Sequence, residues 1–391
     1  MNQDVLINVG NKPAKIKNII EEKTFSQQGE VTVRPIAVDC GNLSVKSKSD
    51  IGEVIYPNTI KTAEALKQQS VFGNKIKNKS MVYEYNDERL IIGEVDENSR
   101  FSLDVNTSRY KTEDFKKMFI LAVFKHVNEG DHVRVVTGIP GKQYSDATMR
   151  KEAIRDIQSL QGEHIVNGKR FIITDIQVEL QPTATTNYLA FTEDGDFKEG
   201  GEEFATSHIL VVDLGMGSSD VTTIKKGLMQ KVDELQYSMF DIYEKIIEFI
   251  RERESKDGEP TILATEHFKA QLIEKQIRES LECQDGRATY KATNGDTFDI
   301  HSEVEKAFQW GAMTFLQELR NKKINFEEYA NVVLTGGGTQ ALLPYLKKGL
   351  MDYKGNSKVR FRLPTNRLMA NARGYYVVAK NPEMFARVDN I

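Results

Sequence analysis

The feature that most constrains the fold occurs twice. From Pro35, "PIAVDCGNLSVK" carries an apolar strand into Asp39, passes one residue to Gly41, and returns as a polar strand ending at Lys46. From Ile209, "ILVVDLGMGSSDVT" follows the same plan, with Asp213 and Gly215 in the corresponding places. A single strand–Asp–x–Gly segment is commonly no more than a strand-ending turn. Two copies 174 residues apart, near half of a 391-residue chain, predict a duplicated unit and two lobes facing one another. The length agrees, being too great for one hydrophobic core.

Composition excludes several function classes. With 53 basic and 57 acidic side chains the net charge is −4, so no global electrostatic footprint for nucleic acid exists. No run of residues approaches the apolar length of a membrane span, and "MNQDVLINVGNKPAKIKN" lacks the order of a secretory signal. Cys40 and Cys283 are the two cysteines, which fits a reducing cytoplasm. The six histidines show no i, i+4 pair and there is no C-x-x-C, which argues against a zinc site. A G-x-S-x-G nucleophile elbow is absent.

Strand and helix patterns alternate along most of the chain, which indicates an α/β class. Residues 1–34 form a lead-in in which "VLINVG" has strand or partner-binding character; lobe I is expected over 35–206, with a small subdomain over roughly 48–110. The polar stretch Thr192–Glu203 marks the crossing, lobe II follows over 207–362, and 363–391 returns to lobe I. "TEDFKKMFILAVFKHVNEG" and "EVEKAFQWGAMTFLQELRNK" read as helices with apolar faces, and "QPTATTNYLAF" as a helix beginning near Pro182.

The chemistry of the repeated unit follows from its residue types. Glycine removes the side chain that would block close approach to a turn, and successive backbone N–H groups there make a concave surface for phosphate oxygens. Carboxylates beside an anionic ligand make sense only with a cation between them. Asp39 and Asp213 across a cleft suit Mg²⁺ held largely through waters and phosphates, and Lys46 offers a compact positive charge. A third element, "VVLTGGGTQALLP", is a strand ending in Gly336, Gly337 and Gly338 with a helix expected from Thr339; its glycines let backbone lie against an adenosine and its α-phosphate. Rival phosphate motifs fail on spacing: "GIPGKQ" is not a P-loop, and "GMGSSD" puts Asp220 where a dinucleotide fold needs a small residue.

Together these motifs resemble the actin, sugar-kinase and heat-shock-chaperone ATPases. "RVVTGIPGKQY" and "NRLMANARGYYVVAK" are similar to segments of bacterial plasmid-segregating actins of the ParM type, the second with Gly374 at a close-packed position. The resemblance implies that Asp39, Gly41, Asn42 and Lys46 hold phosphates and hydrated Mg²⁺. It implies that Asp213, Gly215, Gly217, Ser218 and Ser219 form the opposing hairpin, with Gly336–Gly338 under the adenosine. "QPTATT" is similar to the chaperone-type E-P-T-A-A, which puts Gln181 where a residue orients the attacking water; the ParM-type P-E-S pattern would put Thr183 there instead. Gln181 is preferred because an amide can orient water and threonine is too short; Asp220 would help from the other lobe.

What the resemblance implies for function is a cytoplasmic ATPase, with GTP as an alternative nucleotide. It would assemble with itself into filaments and move or position plasmid DNA through a DNA-bound adaptor, without contacting nucleic acid or membrane itself. Hydrolysis would time disassembly. Two alternatives on the same fold are a non-polymerising chaperone-like ATPase and a small-molecule kinase. The locally basic stretch Lys67–Ser80 reads as a solvated loop, with a filament contact as its functional alternative.

Overall fold

Near-continuous apolar runs such as Ile36–Val38 and Ile209–Val212 must be covered on both faces, which is the signature of strands sandwiched between helices. In the computed structural model both runs are fully buried central strands. The structure describes residues 32–63, 82–95, 100–101, 109–256, 260–281, 286–351 and 360–385. "VLINVG" and Lys67–Ser80 lie outside the described residues.

The chain opens with the antiparallel strands β1 (Val33–Cys40), β2 (Ser44–Ser49) and β3 (Gly52–Pro57). Strands β4 (Thr59–Thr62), β5 (Val82–Tyr85), β6 (Glu88–Ile92) and β7 (Arg100–Phe101) make a separate small sheet. Helix α1 (Glu113–Phe124), strand β8 (Asp131–Ile139), helices α2 (Gly141–Ser145) and α3 (Ala147–Gln158), and strands β9 (Gly162–Val166) and β10 (Lys169–Leu180) complete a six-stranded sheet. Its order is β3-β2-β1-β8-β10-β9.

Helices α4 (Gln181–Ala190) and α5 (Glu202–Thr206) lead to a second antiparallel trio, β11 (His208–Leu214), β12 (Ser219–Lys225) and β13 (Leu228–Leu235). Helices α6 (Met239–Lys256) and α7 (Ala270–Leu281), the hairpin β14 (Thr289–Lys291)–β15 (Thr297–Asp299) and helix α8 (His301–Asn321) follow. Strand β16 (Asn331–Thr335), helix α9 (Gly337–Met351), strand β17 (Arg360–Arg362) and helix α10 (Ala370–Lys380) close the chain. The second sheet runs β13-β12-β11-β16-β17. In each sheet the first strand pairs antiparallel with the next strand of the chain and parallel with a later one. The duplication read from the two Asp-x-Gly segments is therefore a duplication of topology.

Local signals explain the element ends. The Thr112 hydroxyl accepts from the Phe115 N–H to start α1, and the Asp146 carboxylate accepts from Thr148 and Met149 N–H, both at 2.9 Å, to start α3. Strands β9 and β13, which the apolar patterning misses, are sheet edges. Edge strands carry polar and charged residues because one side faces water, and Leu228 to Lys231 are all exposed.

Two helices lie against the sheets where they meet. Helix α10 packs on the first sheet through Tyr375, Tyr376 and Val378 against Ala37 and Val136, and Ala184 of α4 joins that cluster. Ala190, at the other end of α4, belongs to a cluster with Ile209, Val211 and Val333 of the second sheet. The helices touch where Gly374 rests on the Ala184 carbonyl, so close that a Cβ would overlap its oxygen. Gly374→Ala should therefore lower stability by about 1–3 kcal/mol through overpacking, read as a fall in the urea midpoint at unchanged m-value. Met313→Ala, at a side chain 64% exposed, should leave the midpoint nearly in place.

Candidate functional site

Each repeated hairpin brings a carboxylate to the same place. Asp39 ends β1 opposite Lys46 of β2, whose Nζ lies 3.1 Å from Asp39 Oδ2. Asp213 ends β11 opposite Asp220 of β12, so two buried carboxylates share one face of the strand pair. The turns are tight: Gly215 N–H donates to Ser218 C=O at 3.0 Å, and a Cβ on Gly215 would overlap that oxygen. A Cβ on Gly217 would overlap Asn42 Nδ2, so the tips of the two hairpins meet across the gap.

Between them lies a cleft of about 890 Å³. Asp39, Gly41, Asn42, Lys46, Gln181, Asp213, Gly215, Gly217, Ser218, Asp220 and Gly336–Gly338 all line it. Ser219 does not. It is 1% exposed and pairs with Leu214, and strand alternation turns it to the face opposite Asp220. Gln181 opens α4 and reaches the cleft, whereas the Thr183 hydroxyl donates to Leu180 C=O at 2.8 Å and is not part of the lining.

The glycine run differs from expectation. Helix α9 begins at Gly337, not Thr339, because Gly336 at φ +86° makes the turn out of β16 by itself. Gly337 and Gly338 are its first turn, and a Cβ on Gly338 would overlap Met239. The free N–H groups of a helix start thus face the cleft, which suits an anion as well as flat backbone would.

Burial governs the electrostatics. Burial, then the nearby Asp39 charge, push the Asp213 carboxyl up to about 6, while a hydrogen bond from Asn371 Nδ2 to Oδ2 at 3.1 Å works the other way. Burial and the Asp213 charge push Asp220 up to about 7, against the lowering effect of the Gly141 N–H. Asp220 Oδ1 is buried without a hydrogen-bond partner. Among the described residues no three metal-ligating side chains converge. The donor set therefore fits a cation held largely through water and ligand oxygens, rather than an all-protein cage.

Among the polar lining residues that sequence reasoning misses, two stand next to the hairpins. Asn371 comes from α10, and its Oδ1 accepts from the Thr185 hydroxyl at 2.7 Å. Arg109 precedes α1 and holds Asn42 Oδ1 and Cys40 C=O at 2.6 and 2.9 Å. Arg109 belongs to no short motif, and Asn371 lies within "NRLMANARGYYVVAK", where sequence reasoning singles out Gly374 alone. Farther along, Ile277, Val304, Phe308 and Ala341 add apolar surface beside the charged Glu274, Arg278 and Glu305, and Lys275 Nζ reaches across to Val95 C=O at 3.5 Å.

Because both folded-state pKa values lie above the ordinary 3.8, the folded chain binds more protons than the unfolded one from about pH 4 to 7. Stability of the ligand-free protein should thus fall as pH rises through that window. Asp220→Asn should remove much of the fall, so the difference in urea midpoint between variant and wild type should grow from pH 5 to pH 7.5. A constant difference would mean that Asp220 ionises normally.

Residues 37–183 match the family described as actin like proteins N terminal domain, and residues 208–360 match the Alp7A C-terminal domain. No curated protein sequence matches. Among solved structures, the actin-like protein Alp7A shares 16% identity at a TM-score of 0.66, over 89% of this chain and 96% of that one. ParM in a 15-stranded filament from Clostridium botulinum shares 18% at 0.64, over 90% and 99%. The apo pSK41 ParM shares 18% at 0.59, over 90% and 98%. These likenesses establish the fold class expected from the paired hairpins.

Proposed function

The chain belongs to the actin-like proteins, and from that premise we propose that it is a Mg²⁺-dependent ATPase whose filaments move or position plasmid DNA through a DNA-bound adaptor in the cytoplasm. The observation that carries the reading is the meeting of two glycine-tipped, carboxylate-bearing hairpins over one cleft. Neighbours in fold, a ParM and Alp12, have structures as filaments, which supports self-assembly. Among the described residues no helix is long and apolar enough to cross a membrane.

In this reading lobe I spans 35–206, lobe II spans 207–362 and 363–391 returns to lobe I, making α4 and α10 the pivot. Asp39 and Asp213 would hold the hydrated cation, which supplies charge neutralisation between phosphates and carboxylates. Lys46, Asn42 and the backbone donors at Gly41, Gly215, Gly217 and Ser218 would grip phosphate oxygens. Gly336–Gly338 and the apolar wall beyond them would take the nucleoside. Gln181 would orient a water in line with the terminal phosphate, and Asp220, which lines the cleft and has one buried oxygen without a hydrogen-bond partner, would polarise it. Positioning and fixed charge supply most of the rate in such a site. Loss of the terminal phosphate would release the lobes and time disassembly.

Light scattering and pelleting with Mg²⁺ and ATP, ADP or no nucleotide test the reading. A rise with ATP that decays as phosphate appears is expected. Steady phosphate release without scattering would favour a non-polymerising ATPase, and release only on adding a sugar would favour a kinase. Asp213→Ala should abolish turnover. Gln181→Ala should slow hydrolysis about a hundredfold or more while assembly persists; if Thr183→Ala does so instead, the water is held from the other position.

A further inference from the structure

Lys46 is already matched by a charge, since Asp39 lies 3.1 Å from it. Arg109 is not. It is 8% exposed, and both of its hydrogen bonds at the cleft go to neutral oxygens, Asn42 Oδ1 and Cys40 C=O. It forms no ion pair among the described residues, and its Nε has no partner. The Tyr110 and Phe115 rings stand 5.2 and 5.9 Å from the guanidinium carbon and soften its burial only in part. The Asp39 charge acts on it only from beyond ion-pair distance; a buried cation without a contacting counter-charge is costly, and this one lines the cleft.

The bond to Asn42 also decides which way that amide faces. With Oδ1 held by Arg109 at 2.6 Å, the two N–H donors of Nδ2 point away, toward Gly217 of the opposite hairpin. A phosphate oxygen entering between the tips meets those donors with a guanidinium directly behind them. The apolar wall of Ile277, Val304, Phe308 and Ala341 suits the base, which leaves the hairpin tips for the terminal phosphate.

Resting on the nucleotide-binding reading above, we propose that Arg109 is the residue by which the cleft tells a nucleoside triphosphate from a diphosphate. It fixes the Asn42 amide and supplies the positive charge that only a terminal phosphate reaches.

The test is competition of a fluorescent nucleotide by ADP and by a non-hydrolysable ATP analogue, with Mg²⁺, on wild type, Arg109→Gln, Arg109→Lys and Asn42→Ala. Arg109→Gln should lose about tenfold or more in affinity for the ATP analogue, as for a hydrogen bond to a charged group, with ADP nearly unchanged. Arg109→Lys keeps the charge but not the fork, and should recover part of the loss. Asn42→Ala should lower the ATP-to-ADP preference in the same direction. Equal weakening for both nucleotides in Arg109→Gln would show a purely structural arginine and overturn the proposal. Should that variant fail to fold, Asn42→Ala decides: an unchanged preference overturns the proposal and a reduced one supports it. Wild type that binds neither nucleotide would overturn the nucleotide reading itself, and this inference with it.

Discussion

Asp213 and Asp220 face each other as a register pair on β11 and β12, both buried. Like charges directly opposite on one strand pair are unfavourable even at a surface, and burial makes them more so. The chain keeps them at the point where β11 gives way to a turn of Gly215 and Gly217, with Gly336 against Asp213 Oδ1 so tightly that no side chain fits. Such an arrangement is poor for stability and well suited to receiving positive charge from outside. The parallel β11–β16 pairing places Thr335 beside Asp213, so the turn into α9 stands beside the carboxylates. Sheet order, glycine placement and the cleft all serve that one position.

Asp213 is also tied to both α4 and α10. Donor accounting fixes the direction of the chain: the Thr185 hydroxyl gives its proton to Asn371 Oδ1, so the Thr335 hydroxyl, 2.9 Å away, must donate to Thr185. Asn371 then gives an amide proton to Asp213 Oδ2. The path Thr335–Thr185–Asn371–Asp213 runs β16, α4, α10, β11 and is buried throughout. Every donor in it has one acceptor, and satisfied buried networks are stiff. Together with the Gly374–Ala184 contact, it couples the packing of α4 on α10 to the geometry around Asp213.

Much of this architecture is legible in the amino-acid sequence. The apolar-strand, Asp, x, Gly pattern can be read because burial, chain reversal and close approach each restrict the residue type. Duplication then identifies which of several glycine turns matters. What escapes has a physical cause in each case. Ser219 resembles its neighbours in composition, and only the period-two alternation of β12 turns it to the face opposite Asp220. The helix start at Gly337 is obscured because three glycines in a row do not say which one turns; φ +86° at Gly336 does. Edge strands β9 and β13 look like loops because their outer faces are wet. Arg109 carries no motif and Asn371 sits in one read for its glycine, and both act at the cleft through contacts 67 and 158 residues away along the chain.

The ligand-free cleft is charge-matched only in part. Asp39 is paired with Lys46, burial raises the Asp213 and Asp220 carboxyls to about 6 and about 7, and the Arg109 hydrogen bonds go to neutral oxygens. Beside the hairpins a phosphate arriving alone would meet Lys46 and Arg109 but also the carboxyl groups of Asp39, Asp213 and Asp220, and a cation arriving alone would have to compete with Lys46 for Asp39. In the nucleotide-binding reading proposed above, the two entering together would each offset the cost of the other: the carboxylates would face the cation, and Lys46 would be free to turn to the phosphates alongside Arg109. In that reading the same residues that leave the cleft only partly charge-matched would make joint entry of anion and cation favourable.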